Sequence, residues 1–87
     1  MKDILYFHLK DCPHCRRANS FLQELLAENP EYKKVAITAF EEKQNAEIAA
    51  KYDYYLVPCF YVGGKKMHEG AITKSELKAV MDSAIAE

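Results

Sequence analysis

Ile4-Leu5-Tyr6-Phe7-His8-Leu9-Lys10-Asp11-Cys12-Pro13-His14-Cys15 places a short apolar run directly before two cysteines three positions apart. Ile4 to Leu9 is apolar and aromatic apart from His8, which reads as a strand buried on both faces. Pro13 suits the first turn of a helix, where its missing N–H is no loss. Residues 13 to 28 then carry Ala18, Phe21, Leu22, Leu25 and Leu26 at three- and four-residue steps, the single buried stripe of an α-helix. Asn29-Pro30 stops that helix. Cys12 therefore falls at a strand-to-helix junction, where open α/β sheets tend to place their sites.

Past Pro30, Tyr32 to Phe40 contains Val35-Ala36-Ile37-Thr38 and reads as a second strand. Glu42 to Tyr52 reads as a second helix with Ala46, Ile48, Ala49 and Tyr52 inward. Val57 to Val62 is expected as a third strand, Gly63-Gly64 as a hairpin turn, and Lys65 to His68 as a fourth strand. Thr73 and Glu76 have the spacing of a capping box and open a last helix with Leu77, Val80, Met81 and Ile85 inward. The order is βαβαββα. Two β–α–β steps imply parallel pairing, and the terminal hairpin implies an antiparallel edge. The expected α/β fold is a four-stranded mixed sheet flanked by three helices, with helices on both faces. Eighty-seven residues leave room for one domain, 1–87, and one core.

Composition narrows the chemistry. Hydrophobic residues make up 49% of the chain, which suits a globular domain and argues against disorder. Twelve Lys and Arg against thirteen Asp and Glu leave a net charge of -1, so neither nucleic acid nor membrane is expected as a partner. The apolar run that follows Met1-Lys2-Asp3 is too short for a signal peptide or a membrane span, which makes the cytoplasm the expected compartment. A monomer is expected.

In a reducing compartment three cysteines do not make a structural disulfide framework, and a close pair is redox-active or metal-binding. A lone Cys-x-x-Cys holds four-coordinate zinc only with a second ligand pair, and no second Cys-x-x-Cys or His-x-x-x-His is present. The redox reading follows, with no bound metal and no cofactor beyond a Cys12–Cys15 disulfide. A thiol attacks a disulfide only as thiolate. Cys12 stands at the expected N-cap, where unpaired N–H groups and the helix dipole favour an anion; His14 adds a positive or hydrogen-bonding group beside the sulfur, and Arg16 and Arg17 add positive charge. Cys15 lies one turn along. Cys12 is thus the expected attacking thiol and Cys15 the more buried one that resolves the mixed disulfide.

With these elements in order, the chain resembles the thioredoxin-fold superfamily over nearly its whole length. Its size, its start on the strand before Cys12-Pro13-His14-Cys15, and Tyr6 where thioredoxins carry a buried aspartate are glutaredoxin-like. Ala50-Lys51-Tyr52 before Val57-Pro58, and the run from Gly70 to Lys78, are thioredoxin-like. Pro13-His14 between the cysteines is the dipeptide of periplasmic dithiol oxidants. A small glutaredoxin-like, thioredoxin-related protein is the description that fits.

The resemblance implies a cis peptide bond before Pro58, beside the dithiol, with the Val57 backbone pairing to an extended substrate. Tyr54 and Tyr55, just ahead of Leu56, are expected at the rim of the substrate groove. The resemblance also implies reduction of protein or small-molecule disulfides, with the enzyme recharged by a flavin-dependent reductase of the thioredoxin-reductase type or by glutathione. Where glutaredoxins place a Gly-Gly pair and an acidic residue before the last helix, this chain has Glu69-Gly70-Ala71-Ile72-Thr73. Lys10 lies one residue away from the position of a glutathione-binding lysine. The flavin reductase is therefore the preferred donor. Without the aspartate, His8 is either a proton shuttle or a polar residue at a strand end. Cys59 is either a small core residue or an extra thiol near Cys12. Two other functions compete: metal or iron–sulfur binding through Cys12, Cys15 and Cys59, and thiol oxidation, which rests on Pro13-His14.

Overall fold

The computed structural model describes residues 1–86. Strands β1 (Ile4–His8), β2 (Ile37–Glu41), β3 (Cys59–Val62) and β4 (Lys65–Glu69) form one sheet in the order β2-β1-β3-β4. Helix α1 (Pro13–Glu28) follows β1, the single-turn α2 (Ala46–Ala49) follows β2, and α3 (Lys74–Ile85) closes the chain.

Alternation along the strands divides the core into two layers. Ile4 and Tyr6 of β1 and Phe60 and Val62 of β3 point to one face, against Ala18 and Leu25 of α1 and Leu77, Val80, Met81 and Ala84 of α3. Phe7, Cys59 and Tyr61 point to the other face, with Ala49 of α2 and the partly buried Leu5, Phe40, Ile48 and Tyr52. Full burial of a side chain such as Leu25 or Leu77 contributes roughly 1.5–3 kcal/mol, so these layers hold the helices to the sheet. Gly63 and Gly64 make the β3–β4 turn with φ of +56° and +84°, the left-handed pair that a tight two-residue hairpin requires.

The bounds of α1 match the reading from sequence, and α3 opens with the expected capping box between Thr73 and Glu76. Four expectations are corrected. The third strand begins at Cys59 rather than Val57, which lies in the irregular segment before it. The second strand begins at Ile37 rather than Tyr32. Residues Pro30–Lys34 form a 3-10 turn instead, which buries the Tyr32 ring and lets its hydroxyl donate to Asp82 on α3. The second helix does not run from Glu42 to Tyr52. Residues 42–45 are turns closed by the Glu41 carboxylate, which accepts the N–H groups of Lys43 at 2.8 Å and Gln44 at 3.0 Å, and only Ala46–Ala49 is helical. The second β–α–β step does not give parallel pairing either. β1 is parallel to β2, but β3 lies on the other side of β1 and antiparallel to it. An α2 of one turn, followed by the irregular segment 50–58, brings the chain back in the opposite sense.

Candidate active site

Cys12 is the N-cap of α1, with extended φ and ψ of -98° and 115°. Its Sγ accepts the backbone N–H of Cys15 at 3.2 Å, where a serine or aspartate oxygen would serve in an ordinary N-cap. Its carbonyl accepts the Arg16 N–H at 3.0 Å and so starts the helix. The sulfur is half-buried and lies 4.0 Å from the Val57 carbonyl oxygen. The Val57–Pro58 peptide is cis. Pro58 is buried, and its carbonyl accepts the Gly70 N–H at 2.9 Å. Cys12, Val57 and Pro58 are therefore neighbours, although 45 positions separate Cys12 from Val57.

Cys15 is only 1% exposed. Burial pushes its thiol up to about 12, and the adjoining Cys12 side chain acts in the same direction. One sulfur of the pair faces the surface and the other is held neutral inside. All three cysteines are thiols. Pro13, His14, Arg16 and Arg17 are exposed, and no acidic residue stands in the first turn of α1. Cations at this end of a helix oppose its dipole, so the helix itself gains nothing from these arginines.

Beneath the dithiol lies a polar group that reading Tyr6 as an apolar residue overlooks. The Tyr6 hydroxyl lies 2.7 Å from Asn19 Oδ1 and 3.3 Å from the Cys15 carbonyl, while its ring stacks on Phe60 at 4.5 Å between centroids. The signal was present in the four-residue step from Cys15 to Asn19, which puts both on one side of α1. His8 ends β1 half-buried, with its ring centroid 5.0 Å from that of Tyr6.

On the other side of Cys12 is a cavity of about 310 Å³ lined in part by Lys10, Asp11, Glu41, Lys43 and Gln44. Glu41 shapes it, since its carboxylate accepts the Lys10 N–H at 2.9 Å as well as the two from the following turn. These N–H groups, that of Lys10 foremost, hold the Glu41 carboxyl below the usual carboxylate range. Lys10 and Cys12 thus line the same cavity.

The remaining residues singled out from sequence lie elsewhere. Tyr54 is not at a rim: its ring packs 4.9 Å from that of Phe7, and its hydroxyl donates to Glu42 at 3.0 Å. Tyr55 is 87% exposed and Leu56 is 59% exposed, both just ahead of Val57. Cys59 is fully buried with Phe7 and Tyr61 on the α2 side of the sheet. Burial pushes its thiol up to about 12, so it is a core residue there and a poor nucleophile. Among the described residues, no group of three or more His, Cys, Asp and Glu side chains is placed to hold a metal ion. No helix among them is long and apolar enough to cross a membrane.

Comparison with known proteins agrees with this geometry. The glutaredoxin family profile matches residues 4–67. No curated protein matches the chain. Among solved structures, an oxidised thioredoxin from Plasmodium falciparum superposes with a TM-score of 0.74 at 24% identity, covering 98% of this chain and 82% of that one. Thioredoxin O1 from Arabidopsis thaliana, also oxidised, gives 0.73 at 22% identity, covering 95% and 77%. A thioredoxin-like protein from Clostridium perfringens gives 0.71 at 26% identity, covering 97% and 71%. The fold is the thioredoxin fold. The family match and the Cys12–Cys15 pair together make the protein a thiol–disulfide oxidoreductase. The chain, over residues 4–67, belongs to the glutaredoxin family.

Proposed function

We propose that this enzyme reduces disulfides in proteins, with Cys12 as the attacking thiolate and Cys15 as the resolving thiol, working as a one-domain monomer in the cytoplasm. The observation that carries the reading is the asymmetry of the pair. Cys12 is half-exposed at a helix N-terminus with the Cys15 N–H on its sulfur, and Cys15 is buried and protonated. A donor N–H at 3.2 Å and the positive end of α1 both stabilise negative charge on Cys12 Sγ. Arg16 and Arg17 extend that positive field into the solvent from which a substrate arrives.

The Cys12 thiolate attacks one sulfur of the substrate disulfide, forming a mixed disulfide and releasing the first substrate thiolate. Cys15 then attacks Cys12 Sγ, the Cys12–substrate S–S bond breaks, and the Cys15 proton passes to the departing sulfur, which leaves as the second substrate thiol. Two electrons pass to the substrate, and the enzyme is left with a Cys12–Cys15 disulfide. The Val57 backbone, beside Cys12 and ahead of Pro58, receives the substrate as a short added strand, flanked by Tyr55.

For recharging, a flavin-dependent reductase is the preferred donor. Before the last helix, where an acidic residue would be expected to grip glutathione, Thr73 is the N-cap and its side chain is engaged by the Glu76 N–H. The cavity beside Cys12 favours a second reading, in which glutathione is the donor and Lys10 and Lys43 meet its carboxylates. Mixing the oxidised protein with NADPH and either thioredoxin reductase or glutathione plus glutathione reductase separates the two. The expected result is faster recharging by thioredoxin reductase, and loss of insulin reduction in Cys12→Ser. Full activity in Cys12→Ser would overturn the assignment.

A further inference from the structure

The β3–β4 bulge turns two charged side chains toward the segment that leads to Pro58. Phe60 pairs with His68 and Tyr61 with Lys66, which leaves Met67 as the extra residue. In an unbroken strand, residues three apart point to opposite faces. The extra residue cancels that, so Lys66 and Glu69 stand opposite Tyr61 and Cys59 on the same side of the sheet.

From there the two side chains hold the neighbouring backbone. Glu69 Oε2 accepts the N–H groups of Tyr55 at 2.5 Å and Leu56 at 3.0 Å, while Oε1 lies 2.7 Å from Lys66 Nζ. Lys66 Nζ also donates to the Asp53 carbonyl at 3.1 Å, which accepts the Tyr61 hydroxyl at 2.8 Å. Gly70 adds the bond from its N–H to the Pro58 carbonyl, and its φ of +93° suits glycine. A Cβ at that position would approach Leu56 Cδ1 to 3.3 Å, so the bare backbone also makes room for Leu56.

The segment is thus tied to the hairpin at Asp53, Tyr55, Leu56 and Pro58, yet the Tyr55 and Leu56 side chains are left in water. Two large apolar side chains held outward on a fixed backbone do not serve the core. Two N–H groups on one carboxylate oxygen are charge-assisted bonds, stronger than neutral ones. The same partners, Lys66 first, hold the Glu69 carboxyl down to about 2, so the tie persists across the neutral range.

We propose that Glu69 is a positioning residue for protein substrates: its carboxylate, aimed by the bulge, fixes Tyr55 to Val57 so that an extended, apolar substrate segment pairs with Val57 between Tyr55 and Leu56. This rests on the assignment of Val57 as the substrate-facing residue. A small disulfide, which reaches Cys12 without that strand, does not need the tie. Glu69 therefore sets the preference for protein over small-molecule disulfides.

The test compares Glu69→Ala, Glu69→Gln and Lys66→Met with the unaltered protein on insulin and on bis(2-hydroxyethyl) disulfide, alongside amide hydrogen exchange at Tyr55 and Leu56. Glu69→Ala is expected to raise KM for insulin ~tenfold with kcat within ~twofold, as loss of a binding interaction does. For the small disulfide, both constants should move less than ~twofold. Exchange at the two amides should quicken by ~tenfold or more. Glu69→Gln keeps an acceptor oxygen and should recover part of the loss. Lys66→Met leaves both N–H bonds in place and should raise KM for insulin by only ~threefold, which keeps the test open if Glu69→Ala folds poorly. An unchanged KM for insulin in Glu69→Ala, equal losses on both substrates, or unaltered amide exchange would overturn the proposal. An unaltered protein inert toward both disulfides would overturn the reductase assignment as well, and that outcome is recognised before any variant is made.

Discussion

The Tyr6 hydroxyl reaches Asn19 Oδ1 at 2.7 Å, joining the middle of β1 to the second turn of α1 directly below the dithiol. Burial raises the phenol well above the ordinary tyrosine range, with the nearby Cys15 and Cys12 acting in the same direction. It therefore stays protonated and donates a hydrogen bond. Tyr6→Phe removes the donor and leaves the ring stacked on Phe60. Unfolding in urea should show a loss of about 0.5–1.5 kcal/mol. In thermal melts the midpoint should fall by roughly 4–8 °C per kcal/mol lost. An unchanged midpoint would mean that the bond contributes nothing.

Burial separates the three thiols by reactivity. Brief treatment of the native reduced protein with iodoacetamide at pH 8, followed by mass spectrometry, should find label on Cys12 alone. Cys15 and Cys59 should take it up only in denaturant, because each is buried and held neutral. Native labelling of Cys59 would contradict its place behind the sheet.

The same two thiols set an alkaline limit on the reduced protein. Each titrates near 9 when the chain is unfolded and at about 12 when it is folded. Between those values the folded state binds more protons than the unfolded state, so stability falls as pH rises. The contribution is whole below about pH 9 and is lost progressively toward about pH 12. Urea midpoints measured on both sides of that window should decline, and Cys59→Ala should decline less steeply.

Thr73 holds the start of α3, where its side chain accepts the Glu76 N–H at 3.0 Å and Glu76 reaches back to the Thr73 N–H at 2.9 Å. Thr73→Ala should cost about 1 kcal/mol in urea unfolding, the usual loss for an N-cap. Insulin reduction at 25 °C should stay as it was, since no part of the dithiol is touched.

How much of this is legible in sequence depends on the range of the interaction. Helix α1 announces itself through Pro13, the stripe from Ala18 to Leu26 and Asn29-Pro30, and α3 through Thr73 and Glu76, all signals carried within a few residues. The 3-10 turn at Tyr32 does not, because that side chain is buried by α3, whose Asp82 is 50 positions away. Alternation assigned no face to Cys59 until the pairing of Phe7 with Cys59 set it. The shortened α2 is not legible either, since the apolar spacing of Ala46, Ile48, Ala49 and Tyr52 suits a longer helix than the single turn Ala46–Ala49 that forms. In the site, Cys12, Cys15 and their neighbourhood to Pro58 are readable from the motif and the resemblance. Glu69 is not, since its direction depends on a bulge at Met67 that the plain alternation of Lys65 to Glu69 conceals.

The order of attack is tested most directly by trapping. Cys15→Ser, incubated with oxidised insulin and digested without reductant, should hold a stable mixed disulfide between Cys12 and an insulin cysteine, seen by mass spectrometry and released by dithiothreitol. No adduct, or an adduct on Cys59, would contradict the assignment of Cys12 as the attacking thiol.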